Sequence, residues 1–126
     1  MFTGFIKALD DTTLKIRINN TANIPEAILV SGMKLKLAQK SKMRIVDNYT
    51  NYTEIDGTLK FITRRTQYNP GEHALFEVKL NDPLPKDKFL HLKLAVFDGR
   101  ASAGETEDKV FKFVNKLEQL LAGELN

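Results

Sequence analysis

The sequence predicts a mainly β domain: an antiparallel barrel or strongly curled sheet of about six to seven strands, with a C-terminal amphipathic helix packed on it. Three observations carry this expectation. Apolar residues recur at every second position through most of residues 1–97, the period of strands with one buried and one wet face. Turn-forming residues punctuate those stretches. From residue 106 the apolar spacing changes to three and four, the stripe of a helix. Such clean alternation argues against a parallel α/β sheet, whose strands are buried on both faces.

Taken in order, residues 2–8 form the first expected strand, and "LDDTT" (9–13) supplies turn formers. In "TLKIRIN", Leu14, Ile16 and Ile18 alternate with Lys15, Arg17 and Asn19. "NNTANIPE" (19–26) reads as a polar loop, where Pro25 discourages a strand. "AILVS" (27–31) is short and apolar, and Gly32 marks a bend or bulge before residues 33–37. Residues 43–46 read as another strand and "DNYTNYTEIDG" (47–57) as a long polar connection.

In "TLKFITR" (58–64), Leu59 and Phe61 share one face while Lys60, Ile62 and Arg64 share the other. Pro70-Gly71 suits the centre of a type II turn leading into "HALFEVKL" (73–80). "NDPLPKDK" (81–88) is a loop with two prolines, and "FLHLKLAVF" (89–97) turns Leu90, Leu92, Leu94 and Val96 inward. The helix is expected over 106–122. Val110, Phe111, Val114, Leu117, Leu120 and Leu121 form its stripe, Thr106 its N-cap, Glu107 and Asp108 its acidic first turn, and Gly123 its end.

The 126 residues suffice for one domain with a real core, 1–126, comprising the barrel-like 1–97 and the helix 106–122. There is no cysteine, which excludes disulfides, thiolate zinc sites and thiol catalysis, and fits a reducing compartment. "MFTGFIKALDD" reaches two aspartates before a long apolar run can form, so neither a secretory signal nor a membrane anchor is expected. A cytoplasmic protein is the simplest reading. The sequons at Asn48 and Asn51 are then read as a polar turn.

Net charge is only +3, yet its distribution is uneven. Outward strand positions hold Lys15, Arg17, Lys34, Lys36, Lys42, Arg44, Lys60, Arg64, Lys79 and Lys93, against the single acid Glu77. Most of the sixteen acids sit in turns, loops or the expected helix. Lysines on exposed strands protect against edge-to-edge pairing, but a sheet normally sets opposite charges across from one another. A polyanion would relieve the excess. Tyr49, Tyr52 and Tyr68 fall in segments read as loops, where aromatic rings either shield the core or stack bases.

No catalytic motif is present. His73 and His91 lack metal-ligand spacing, and there is neither a G-x-S-x-G elbow nor a phosphate-binding glycine loop. The pairs Asp10-Asp11 and Glu107-Asp108 have turn and helix-start explanations. The leading expectation is a non-catalytic module that engages nucleic acid without cofactor or metal. Its candidate residues are Lys34, Lys36, Lys42, Arg44, Arg64 and Arg65, with Tyr49, Tyr52 and Tyr68 as stacking groups. Two alternatives stand beside it. One is a protein-interaction or assembly factor, viral or bacterial, that docks on an acidic partner or self-associates through a strand edge. The other is a module for a small anionic ligand such as a nucleotide.

Overall fold

The structure is a computed structural model that describes residues 1–42, 48–98 and 109–125. Among the described residues, eight strands and one short helix follow one another: β1 (Phe2–Ala8), β2 (Thr13–Asn20), β3 (Leu29–Lys40), β4 (Tyr49–Glu54), β5 (Gly57–Phe61), β6 (His73–Leu80), β7 (Phe89–Phe97), β8 (Lys109–Lys116) and α1 (Leu117–Leu121). They form two four-stranded antiparallel sheets, with orders β1-β2-β6-β5 and β4-β3-β7-β8.

This overturns the expected barrel or strongly curled sheet of about six to seven strands. Period-two alternation reports that each strand has a buried and a wet face, and a two-layer sandwich satisfies that as well as a barrel does. The side chains that alternate inward from the two sheets meet in a single core. Leu14, Ile16, Ile18, Ala74, Phe76 and Val78 come from one sheet, and Leu35, Leu37, Leu90, Leu92, Leu94 and Val96 from the other. Removing each large aliphatic or aromatic group of this set from water contributes about 1.5–3 kcal/mol.

The expected helix over 106–122 is also overturned. Residues 109–116 are strand β8, paired with β7 from Phe89↔Lys116 to Val96↔Lys109, and only residues 117–121 are helical. The stripe had two sources. Phe111 and Phe113 alternate into the core as strand residues, whereas Leu117 and Leu120 are buried by the helical turn. "KVFKFV" is rich in β-branched and aromatic residues, which suit a pleated surface. Its fit is close: a side chain at Gly4 would put a Cβ 2.7 Å from the Phe111 ring. The helix is held at both ends, since the Lys116 N–H donates to Gln119 Oε1 at 2.8 Å. Lys7 Nζ donates to the carbonyls of Leu121 and Gly123, each at 2.7 Å. The expected N-cap Thr106, with Glu107 and Asp108, lies outside the described residues, as does the expected strand 43–46.

Local chemistry explains the connections. In the β1–β2 turn, Asp10 Oδ1 accepts from the Thr12 N–H at 2.8 Å, an Asx turn. Gly71 has φ of +84° in the turn before β6, a conformation glycine adopts without cost. Residues 29–40 form one strand with a bulge between Val30 and Gly32, where the sequence suggested a bend. Residues 49–54, expected as loop, form β4. No helix among the described residues is long and apolar enough to cross a membrane.

Candidate functional site

On the outer face of β4-β3-β7-β8, antiparallel register builds rows of side chains across the sheet. Lys34 stands opposite Lys93, and Lys93 opposite Lys112. Neighbouring strands lie about 4.8 Å apart, so three ammonium-bearing chains rise side by side. Like charges directly opposite one another destabilise a sheet. None of the three is ion-paired among the described residues. The next row reads Glu54–Lys36–His91–Val114, and the one beyond it Ala38–Phe89–Lys116. Lys116 Nζ sits 5.3 Å from the centre of the Phe89 ring.

An aromatic cluster bounds this cationic field. The Tyr49 ring meets His91 edge-on at 4.6 Å and Phe89 at 5.2 Å, while Tyr52 meets His91 at 5.2 Å. Tyr49 and Tyr52 are three residues apart, a spacing that would send them to opposite faces of a regular strand. A bulge brings them together. Leu37 pairs with Thr53 and Gln39 with Thr50, so Asn51 and Tyr52 both oppose Ala38. Asn51 takes the left-handed φ of 56°, which its short polar side chain tolerates, and its Nδ2 donates to Gln39 Oε1 at 3.0 Å. Bulges of this kind re-aim side chains.

Lys34, Lys36, Tyr52, His91 and Lys93 line a groove of about 270 Å³. The Nε2 atom of His91 is buried there without a hydrogen-bond partner among the described residues. Burial, and then the Lys36 ammonium, hold this imidazole below the ordinary histidine value of 6.5, so it is neutral at pH 7. The groove therefore offers lysine charge, one exposed aromatic ring and a neutral imidazole. It is suited to holding an anion. Among the described residues no cluster of histidine, aspartate or glutamate has the arrangement of a metal site.

Of the residues singled out from the sequence, Lys34, Lys36, Tyr49 and Tyr52 come together on this face. Lys42 is exposed just past the end of β3, and Arg44 lies outside the described residues. Arg64 and Arg65 follow β5 of the other sheet, where Arg65 is ion-paired with Glu72. Tyr68 is 2% exposed. Its hydroxyl shares a 2.9 Å hydrogen bond with Thr63 Oγ1, and its carbonyl accepts from the buried Asn20 side chain at 3.0 Å. It pins a loop to the core and offers no ring to a ligand. Lys93, Lys112, Lys116 and His91 complete the face. Lys112 and Lys116 were hidden by the helical reading, although the alternation of Lys112 with Phe111 and Phe113 carried the signal.

No protein-family model matches the chain, and no curated protein matches it. Among solved structures it is similar to the archaellum periplasmic stator protein FlaG from Sulfolobus acidocaldarius, with a TM-score of 0.48 and 8% identity. The match covers 88% of this chain and 100% of that one. A likeness this distant carries nothing about function.

Proposed function

We propose that the chain is a non-catalytic protein-interaction module that holds an acidic segment of a partner protein on the outer face of β4-β3-β7-β8. The observation that carries this reading is the row Lys34–Lys93–Lys112, three cations on adjacent strands with no ion-pair partner among the described residues. Carboxylates laid across the row would relieve the repulsion between them. The neighbouring groove of about 270 Å³ has room for a few side chains of such a segment.

A protein partner suits the face better than nucleic acid because stacking groups are scarce. Binding of single strands combines a cationic track with several free aromatic faces. Here Tyr49 and Phe89 are turned edge-on into the cluster around His91, Tyr68 is buried, and Tyr52 alone of the three tyrosines is largely exposed, at 52%. Tyr52 beside the lysine row is the observation that favours nucleic acid as the second reading, held mainly through phosphates.

A competition titration separates the two. A fluorescent glutamate decapeptide is bound at low salt, then displaced by unlabelled peptide or by a single-stranded oligonucleotide of equal charge. The protein reading expects the peptide to compete at least as well, with affinity falling as salt rises. An oligonucleotide more than tenfold stronger overturns it in favour of nucleic acid. Absence of peptide binding at low salt rejects the docking face altogether.

A further inference from the structure

The opposite side of the sandwich carries a second surface with different chemistry. On the outer face of β1-β2-β6-β5, Phe5 pairs with Arg17 and Arg17 with Leu75. The N–H of Ile62 donates to the Leu75 carbonyl at 2.9 Å. One row, Phe5–Arg17–Leu75–Ile62, thus runs across the whole sheet. Phe5 is 40% and Ile62 41% exposed, with Leu75 half-buried between them. Single exposed apolar side chains are ordinary on a protein surface. Here Leu75 and Ile62 adjoin, and the stem of Arg17 links them to Phe5, a run of apolar surface suited to a contact region.

Arg17 makes this line more than a greasy strip. Its guanidinium lies over the Phe5 ring, 4.9 Å from the centroid. Its Nε is buried without a hydrogen-bond partner among the described residues. A buried donor left unmet is costly, and a carboxylate is its strongest natural acceptor. The adjoining row reads Lys7–Lys15–Glu77–Lys60, with Lys7 already tied to the end of α1.

These charges choose between occupants. Two copies of the chain placed face to face would set a surplus of cations, Arg17, Lys7, Lys15 and Lys60 with the single acid Glu77 among these two rows, against the same surplus, so self-association is opposed. Nucleic acid would supply phosphates but no aliphatic surface to cover Leu75 and Ile62. We infer that this face docks a segment of a partner protein with apolar side chains for the Phe5–Leu75–Ile62 line and carboxylates for Arg17 and the lysine row beside it. The chain then has two binding faces, back to back, and can bridge two partners. This inference stands independently of the lysine groove.

The probes are an alternating Leu-Glu octapeptide and a Ser-Glu octapeptide of equal charge. Each is titrated into the full chain and into its Lys34→Glu/Lys93→Glu variant while backbone amide resonances are followed. In both backgrounds the Leu-Glu peptide is expected to shift the amides of Phe5, Arg17, Leu75 and Ile62, and to bind there at least tenfold more tightly than the Ser-Glu peptide. Ile62→Ser, at the exposed end of the row, is expected to remove that preference while the melting temperature stays within a few degrees. Phe5→Ser serves as the second variant. Equal binding of the two peptides, no shift on this face at millimolar peptide, or a concentration-dependent dimer abolished by Phe5→Ser overturns the inference.

Discussion

The two outer faces of this sandwich are built by the same alternation and end up chemically unlike. On β1-β2-β6-β5, Glu77 stands between Lys15 and Lys60, so these two cations have a carboxylate opposite them, and the neighbouring row is apolar apart from Arg17. On β4-β3-β7-β8, Lys34, Lys93 and Lys112 follow one another with no acid between them. Glu54 reaches only the adjacent row, opposite Lys36. One face has part of its lysine charge answered and leaves apolar surface and Arg17 open; the other leaves a lysine row open and packs its aromatic rings edge-on against His91 and one another. Cross-strand neighbours, rather than net composition, decide what a β surface can bind.

The comparison breaks most completely if the shared core fails. Phe76 is fully buried between the sheets, and Phe76→Ala is expected to cost about 3–5 kcal/mol in chemical denaturation, with binding lost on both faces together. Retention of either activity in an unfolded variant would show that the sandwich does not organise it. A smaller and one-sided effect is expected from Lys34→Glu/Lys93→Glu. The affinity for a glutamate peptide should fall at least tenfold, about 1.4 kcal/mol, while thermal stability stays about level, since the two new carboxylates oppose each other as the lysines did and the one at position 93 gains Lys112 across from it.

Glu77→Gln sharpens the contrast from the other side. It takes away the carboxylate between Lys15 and Lys60 and is expected to lower stability by about 0.2–1 kcal/mol, with no effect on glutamate-peptide binding. The smallest effect concerns His91, whose folded-state pKa lies below the unfolded value because of burial and Lys36. As pH falls below about 6.5, the unfolded chain takes up this proton before the folded one does. Stability should therefore decline as pH falls from there to the folded pKa, and no further below it on this account. A melting series against pH checks this, and His91→Asn is expected to flatten that part of the profile. A bound acidic peptide favours the protonated imidazole, so its affinity should rise over the same window.

Much of the architecture was legible because burial in strands writes itself every second residue. The inward sets Leu14, Ile16, Ile18 and Leu90, Leu92, Leu94 stand where the alternation put them. Closure was not legible, since barrel and sandwich impose the same alternation on each strand. The C-terminal segment misled for a physical reason: a strand's every-second spacing at Phe111 and Phe113 runs directly into a helical turn at Leu117 and Leu120, and the sum resembles a helix. Lys34 and Lys36 were visible as outward cations. The cluster of Tyr49, Tyr52 and His91 was not, because it depends on a bulge at Asn51 that no local pattern announced. Tyr68 shows the converse, an aromatic in a loop whose backbone pairs with Glu26 and whose ring fills the core.

The central claim is that Lys34, Lys93 and Lys112 act as one site for an acidic protein segment. Amide mapping of the full chain during titration with a glutamate decapeptide tests it most directly. Saturable shifts concentrated on β3, β7 and β8, with His91 moving in step, are the predicted result. Shifts of equal size around Arg64 and Arg65, or spread over both faces without saturation, would contradict it.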